Sequence, residues 1–395
     1  MQIGPASSHL SLPVGCQPLC RACPHRSLSI DESLKKKAEF LRQCLKLEKE
    51  IPIFGSVNES TRWGTRTKAV LHVRPAAEDH LGPSKVFWKL GLLGPFSKGF
   101  ERELLDLREC PQHSPAIRKL HAFLETIPWG PEAFAWHFAV ISGQLLTLVL
   151  KQKELPPPAL LSALAGMPWG KLGLMGVFLN LNPSCGNRVL RSKGFHLIWG
   201  VPLVRDSDGL PLYGPSSFTQ GRAELHQQSI DSAADFLLSD RPQALVDLYS
   251  GSGATGIRWQ KARIPWLGVE LSSESVAIAR ERLSEERILI GRCEERIPQM
   301  KAFLEEQALE QNTHALRTQL YCNPPRTGLE ARLCEWIEAS LSIRRIAYLS
   351  CSPQTLARDL QRLASFQIKK VEAYDFFPNT HHLETLVLLV RRGTN

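Results

Sequence analysis

The sequence predicts an α/β protein whose C-terminal part, from about residue 211, is built on a mostly parallel sheet with helices on both faces. An α+β region and a cysteine-bearing N-terminal segment precede it. Three observations predict this organisation. Apolar, strand-like runs alternate with charged, helix-like runs from about residue 215 onward. The last two apolar runs are joined by a turn too short to hold a crossover helix. Residues 1–28 are rich in Pro, Ser, Gly and Cys with no sustained periodicity. At 395 residues the chain has room for about two to three domains, each with its own core.

Taken in order, residues 1–28 form a loop that needs an outside staple to become ordered. Ser29 and Glu32 are spaced as a capping box, and Leu34, Ala38, Leu41 and Leu45 mark one apolar stripe of a helix. Cys44 lies beside that stripe and reads as a small buried hydrophobe. Between 66 and 200 strands outnumber helices. Runs at 135–141 and 145–150 flank a Ser142-Gly143-Gln144 turn, and a third run covers 174–181, so this region is expected to hold a hairpin-rich sheet. The C-terminal runs are 244–249, 265–270, 288–290, 319–322, 346–350, 368–376 and 383–390, with helical segments between the first six. The final strand is therefore expected to be antiparallel. No internal repeat or low-complexity tract is present.

A hydrophobic fraction of 43% beside 22% charged residues excludes a disordered chain and a polytopic membrane protein. The longest apolar stretch, 134–150, is broken by His137, Ser142, Gly143 and Gln144, which rules out a bilayer span of about 20 apolar residues. The N-terminus lacks a basic region followed by an apolar core, so the reducing cytoplasm is the expected compartment and no membrane partner is expected. There the ten cysteines are thiols or ligands. With 48 Lys+Arg against 39 Asp+Glu the formal charge is +9, which favours an anionic partner, and nucleic acid is the commonest one.

Asp247-Leu-Tyr-Ser-Gly251-Ser-Gly253-Ala-Thr-Gly256 follows an apolar strand and precedes a helix, and Glu270 ends the next strand. Glycines allow a tight turn and close approach of a ligand, and an acidic residue one βα unit later can hydrogen-bond ribose hydroxyls. A carboxylate four positions before the first glycine suits the cationic amino and sulfonium groups of S-adenosylmethionine and would repel a pyrophosphate. Asn323-Pro324-Pro325-Arg326 follows the fourth apolar run, at the carboxyl edge of the sheet where open α/β folds bind ligands. The stiff turn would hold the Asn323 amide as donor and acceptor for a planar base; the plainer reading is a rigid loop with a solvated arginine. Cys351, in Ser350-Cys351-Ser352-Pro353, lies at the end of the fifth run and opens a helix, where a lowered thiol pKa and a nucleophilic role are expected. Its competing reading is a buried structural thiol. Phe377-Pro-Asn-Thr-His381-His382-Leu-Glu384 forms the turn into the last strand, so the glycine loop, Asn323, Cys351 and Glu384 should converge on one crevice. Taken alone, Glu384 reads as a solvated charge at a strand edge, and His381 and His382 as surface histidines. In the N-terminal loop, Cys16-x3-Cys20-x2-Cys23 suits an iron-sulfur ligand set, and its spacing is also that of radical S-adenosylmethionine enzymes.

The C-terminal motifs resemble the RNA (uracil-5)-methyltransferase family. The resemblance runs from Phe218-Thr-Gln220 through the glycine loop, Asn323-Pro-Pro-Arg-Thr-Gly328, Ser350-Cys-Ser-Pro353 and the 377–384 turn. It reaches back to Arg66-Thr-Lys68 and Leu105-Asp-Leu-Arg-Glu-Cys110-Pro111. It implies a class I methyltransferase Rossmann-like sheet over 211–395, a central α+β RNA-binding domain over 35–210, and an iron-sulfur loop over 1–34 to which Cys110 returns. It also implies a mechanism. C5 of an intact uracil ring is too weak a nucleophile to take a methyl group, so Cys351 would add to C6 first. The resulting enolate would take the methyl group of S-adenosylmethionine through C5, Glu384 would remove the C5 proton, and the cysteine would be eliminated. The cofactor residues expected from the loop and the resemblance together are Gln220, Asp247, Gly251, Gly253, Glu270 and Asn323. The family's distant Cys-Pro makes Cys110 the fourth ligand of a 4Fe-4S cluster with Cys16, Cys20 and Cys23. The radical reading would demand a (β/α) barrel after the triad, where the chain offers a helix and a hairpin sheet; zinc suits four thiolates equally well.

Two positions depart from the family pattern: Asn323 stands where a carboxylate is more usual, and Arg222 where an asparagine is usual. The Asn323 form resembles the branch acting on 23S ribosomal RNA, with transfer RNA as the other substrate class. Relatives often carry an additional N-terminal β-barrel, for which the 15 residues before Cys16 leave no room. A monomer is expected. Two rival classes stay open. One is a methyltransferase acting on the amino group of adenine or guanine, which also uses Asn-Pro-Pro, needs no thiolate, and usually places an aromatic residue where Arg326 stands. The other is an iron-sulfur RNA-binding protein without catalysis.

Overall fold

A computed structural model describes residues 11–76, 87–96, 102–127, 134–184, 188–192, 194–207, 209, 211–217, 221–283 and 287–393. The element order begins α1 (Ile30–Leu45), β1 (Ile53–Phe54), β2 (Lys68–Pro75), β3 (Trp88–Phe96), β4 (Arg102–Asp106), α2 (Pro115–Leu124), β5 (Trp136–Ser142), β6 (Leu145–Leu150), α3 (Pro158–Ala165), β7 (Gly176–Leu181), β8 (Phe195–Gly200), β9 (Val204–Arg205) and β10 (Pro211–Tyr213). It continues α4 (Ala223–Leu238), β11 (Ala244–Leu248), α5 (Gly256–Lys261), β12 (Trp266–Glu270), α6 (Ser273–Leu283), β13 (Ile288–Ile290), α7 (Ile297–Glu310), β14 (Thr318–Cys322), α8 (Ala331–Ala339), β15 (Ile343–Ser350), α9 (Pro353–Arg362), β16 (Phe366–Tyr374) and β17 (Glu384–Arg391). Among the described residues no helix is long and apolar enough to cross a membrane.

The chain divides into two compact units, Met1–Ser29 with Val57–Asp206 and Leu212–Gly221, and Ile30–Ser56 with Ser207–Pro211 and Arg222–Asn395. The boundary expected at residue 34 is thus corrected. Helix α1 and strand β1, assigned from sequence mainly to the central region, belong to the C-terminal unit. The cause is packing across a long sequence separation: Leu41 of α1 is fully buried with Ile51, Ala373 and Leu383, and β1 pairs in parallel with the end of β16. A sequence window cannot see a partner that lies 320 residues ahead, as Ala373 does from Ile53.

In the first unit a seven-stranded sheet runs β4-β3-β2-β5-β6-β7-β8. Its strand β2 alternates as expected of a half-covered sheet: Ala69, Leu71 and Val73 face a core that holds Leu120, Leu124 and Trp169, while Val70 and Arg74 are exposed. The hairpin of β5 and β6 is present. The sheet is hairpin-rich, as the sequence leads one to expect, with one parallel pair among its described strands, β6 with β7. Helix α3 lies between them in the chain and provides the crossover that a parallel pair requires.

The second unit carries an eight-stranded sheet ordered β1-β16-β17-β15-β14-β11-β12-β13. Strands β15, β14, β11, β12 and β13 are parallel, and β17 runs antiparallel between β15 and β16. Strand β11 is buried along its length because both faces are covered. Val246 and Leu248 meet Met300, Leu333 and Trp336 on one side, and Leu245 meets Leu237 and Trp259 on the other. Chain order reverses direction across the sheet between β14 and β11, which opens a crevice at the carboxyl ends of these strands.

Candidate active site

The loop after β11 turns sharply. Tyr249 adopts a left-handed backbone (φ 57°), uncommon for a residue with a side chain, and its phenol donates a hydrogen bond to the Glu330 carboxylate. Gly253 has φ 77°, and a Cβ there would stand 2.8 Å from Leu283 Cδ1 and 3.1 Å from Ala279 Cβ, so helix α6 packs directly on the loop. Glu270 at the end of β12 is fixed against the same loop, accepting from the Gly251 N–H at 3.0 Å and the Ser272 N–H at 2.7 Å. Asp247 lies beneath the loop, fully buried. One oxygen accepts from Thr255 Oγ1 at 2.5 Å and Trp259 Nε1 at 2.8 Å, and Oδ1 has no partner. Burial pushes its pKa up to about 6 against those two hydrogen bonds, with the Glu270 charge adding to the rise.

Asn323 follows β14, whose last residue Cys322 pairs with Leu248 of β11 and Tyr348 of β15. It is half-buried between the glycine loop and the end of β15. Its loop is pinned from below by the buried Asp359 carboxylate, which accepts from the Leu329 N–H and the Tyr348 hydroxyl, each at 2.8 Å. At the neighbouring edge Ser350 of β15 pairs with Thr385 of β17. Because those strands are antiparallel, Cys351, the residue after Ser350, and Glu384, the residue before Thr385, come to the same end of the strand pair, where the Glu384 charge acts on the thiol. Thirty-three positions separate the two in sequence, and one cross-strand step joins them in the fold.

The electrostatics of this pair correct one expectation. The Cys351 thiol is pushed above its ordinary value, not below it: half-burial and the facing Glu384 carboxylate outweigh the helix end, and the Arg326 guanidinium pulls the other way. Glu384 is 5% exposed, and burial pushes it up to about 7, again against Arg326. Arg326 is thus a third member that the sequence reading left as a solvated side chain. The signal available was its place, four residues past a strand at the ligand edge. Its Nη2 also lies 3.4 Å from His382 Nε2. Replacing Arg326 by Met is expected to raise both pKa values, because a cation that stabilises both charged forms is lost. Alkylation by iodoacetamide followed at the Cys351 peptide should slow several-fold at fixed pH; an unchanged rate would remove the guanidinium from this role.

The remaining candidates divide. Gln220 lies outside the described residues. Arg222 is the residue preceding α4, and its guanidinium is engaged by Glu224 Oε1 at 3.1 Å and Ser56 Oγ at 2.9 Å. Cys44 is half-buried, a lesser burial than expected. In the other unit Cys16, Cys20, Cys23 and Cys110 come close enough for their charges to repel. Burial and the other thiols push Cys23 up to about 11 against Arg66, and burial raises Cys16 with Cys20 and Cys110 adding to the rise. Gly15 (φ 81°) lets this loop reach the segment before Cys110, since a Cβ there would overlap the Glu109 carbonyl. All four are free thiols. Among the described residues no group of three or more His, Cys, Asp or Glu side chains stands at metal-ligand spacing.

Comparison with known proteins gives consistent findings. Residues 212–392 match the family model described as tRNA (Uracil-5-)-methyltransferase. A 23S rRNA (uracil(747)-C(5))-methyltransferase RlmC of Shewanella pealeana is 31% identical over 95% of this chain and 98% of its own length. The protein of the same name from Shewanella amazonensis is 26% identical over 95% of this chain and 96% of its own. Among solved structures, the Pyrococcus abyssi tRNA (uracil-54, C5)-methyltransferase in complex with S-adenosyl-L-homocysteine is similar in fold, with a TM-score of 0.65 at 20% identity, covering 94% of this chain and 86% of that one.

Proposed function

The chain belongs to the RNA uracil-5-methyltransferase family, and from that premise we propose that it methylates C5 of a uridine in 23S ribosomal RNA through a covalent Cys351–C6 adduct, as a cytoplasmic monomer. The observation that carries this reading is the placement of Cys351 with Glu384 at the carboxyl edge of the sheet, with Arg326 acting on both.

S-adenosylmethionine supplies an electrophilic methyl group when bound. The chain's residues suit it: Glu270 is held at the glycine loop with its carboxylate oriented by two backbone N–H groups, as ribose hydroxyls require, and Asp247 Oδ1 is a buried acceptor without a donor. Asn323 places an amide, donor and acceptor together, between that loop and Cys351 for the uracil edge. Cys351 Sγ attacks C6, and Arg326 supports the thiolate by charge. C5, now nucleophilic, takes the methyl group. Glu384 then accepts the C5 proton, the C–H electron pair restores the C5–C6 double bond, and Cys351 leaves as thiolate. A carboxyl with pKa of about 7 is well matched to that transfer near neutrality. Flipping the uridine out costs about a few kcal/mol, which phosphate contacts offset. Arg74 and Lys89, exposed and paired across β2 and β3, are suited to make them.

The thiol quartet suits a metal centre by its donor chemistry: four sulfurs gathered in a loop without a core of its own would repel one another as thiolates, and a cation would hold them together. Cys16, Cys20, Cys23 and Cys110 would hold a 4Fe-4S cluster as a structural staple.

Two measurements test these readings. With an RNA fragment carrying 5-fluorouridine, whose C5 fluorine cannot be removed as a proton, the wild-type protein is expected to form an S-adenosylmethionine-dependent complex that survives a denaturing gel. Absence of a complex with both ribosomal and transfer RNA fragments would favour amino-group methylation or an inactive binding protein. For the loop, Gly253→Ala forces a side chain into a left-handed backbone against α6, a strain of about 1–3 kcal/mol. Calorimetric titration should show roughly tenfold or greater weakening of S-adenosylmethionine binding; wild-type affinity would place the cofactor elsewhere.

A further inference from the structure

Helix α1 reaches into the catalytic half of the molecule with a buried lysine. Lys37 Nζ lies 2.6 Å from Asp375 Oδ1, with the two side chains 0% and 5% exposed, and also donates to the Phe377 carbonyl at 3.2 Å. That carbonyl accepts from the Thr380 hydroxyl at 2.8 Å, and the same hydroxyl accepts from the His382 N–H at 3.1 Å. Two residues on stands Glu384. Leu383 between them is buried against Leu41, one helical turn along α1 from Lys37. Asn379 within the turn holds a left-handed backbone (φ 68°) and is 1% exposed, so the turn is packed into the fold, with α1 against one side of it.

A buried ion pair is a poor device for stability, because desolvating two charges offsets their attraction and an apolar pair would serve as well. It is a good device for fixing one geometry. We propose that Lys37, in partnership with Asp375, is a positioning residue for the base: it locks the 375–382 turn so that the Glu384 carboxylate stands where the C5 proton is removed. The inference rests on the reading of Cys351 as nucleophile and Glu384 as base. It assigns the helix that follows the cysteine loop a direct part in only the last chemical step. Addition of Cys351 to C6 and methyl transfer to C5 take no proton to the turn, and feel it only indirectly, through the charge of Glu384 beside the thiol and the contact of His382 with Arg326. Proton removal depends on it directly, with the proton passing to Glu384, the C–H pair forming the double bond and the thiolate leaving.

This separation of steps supplies the test. Lys37→Met leaves Asp375 buried without its cation and can weaken folding, so the double variant Lys37→Met/Asp375→Asn, which removes both charges, is assayed beside it. Each full-length protein is given two RNA fragments with methyl-labelled S-adenosylmethionine. With 5-fluorouridine RNA, where the last step is blocked in every protein, the variants are expected to form adduct at a rate within a few-fold of wild type, far less affected than turnover. With ordinary uridine RNA, turnover is expected to fall by roughly ten- to a hundredfold, the usual cost of a misplaced group. Labelled adduct should meanwhile accumulate on the gel, as it does not in wild type. Uridine turnover within about twofold of wild type would overturn the proposal. So would adduct formation on 5-fluorouridine falling in parallel with turnover, which marks a merely structural role. Failure of the wild type itself to form the fluorouridine adduct would instead overturn the functional reading, and this inference with it.

Discussion

Replacing Cys351 by Ala is expected to abolish methyl transfer to RNA, a loss on the order of 10⁴-fold or more, and to abolish the 5-fluorouridine adduct with it. The effect is large because no neighbouring group can take over. Without addition at C6 the C5 carbon is not a nucleophile, and the methyl donor has nothing to react with. Among the described residues the other cysteines of the same unit, Cys44, Cys293, Cys322 and Cys334, are spread over α1, the segment before α7, β14 and α8, none of them at the end of β15. Binding of RNA and of S-adenosylmethionine should be retained, since the side chain is only half-buried and its loss leaves no large cavity. Filter binding and transfer of labelled methyl groups, measured on one preparation, check both halves. Retained activity would remove the covalent mechanism and return the protein to the amino-group class.

Replacing Glu384 by Gln should slow turnover by roughly 10²- to 10⁴-fold while leaving the thiol able to attack. Protein should therefore accumulate as a methylated covalent complex with ordinary uridine RNA. On the proposed mechanism Glu384 works as a carboxylate, the form present above its pKa of about 7 and lost as pH falls through it. Turnover should rise with pH across that value, and rise further toward alkali as the elevated Cys351 thiol ionises. The Gln variant should lose the limb near pH 7 and keep the alkaline one, moved to lower pH because the facing carboxylate no longer raises the thiol. A single-turnover pH profile distinguishes this from a general loss of folding, which would flatten both.

Much of this was legible before any coordinates. The strands of the catalytic sheet show as apolar runs because they are buried on both faces, and 288–290 and 319–322 fall within a residue of β13 and β14. The short 377–382 turn dictated an antiparallel final strand, which set Glu384 beside Cys351. What escaped was non-local. The two-residue β1 is too short to carry periodicity and exists through its pairing with β16. Helix α1 shows its stripe but not its partner. The parallel pairing of β6 with β7 depends on a crossover by α3, whose Pro-rich start reads as a loop. The Cys351 pKa escaped for a like reason: a helix end is visible in sequence, while a carboxylate across a sheet and the depth of burial are not. Arg326 was read in its motif and missed in its role, because an exposed arginine acquires a function only from what it faces.

The insertion of β17 between β15 and β16 has a consequence for the newborn protein. A ribosome that has synthesised the chain as far as β16 has already released a thiol, a cofactor loop and the Asn323 turn, but no general base. The sheet at that moment is split, with β15 and β16 each missing the neighbour that separates them. Chemical competence therefore arrives all at once, with the threading of a single eight-residue strand that simultaneously seals the sheet and delivers its carboxylate. The same strand brings the carboxylate that, with burial, raises the Cys351 thiol, so the nucleophile is restrained by the element that completes its site.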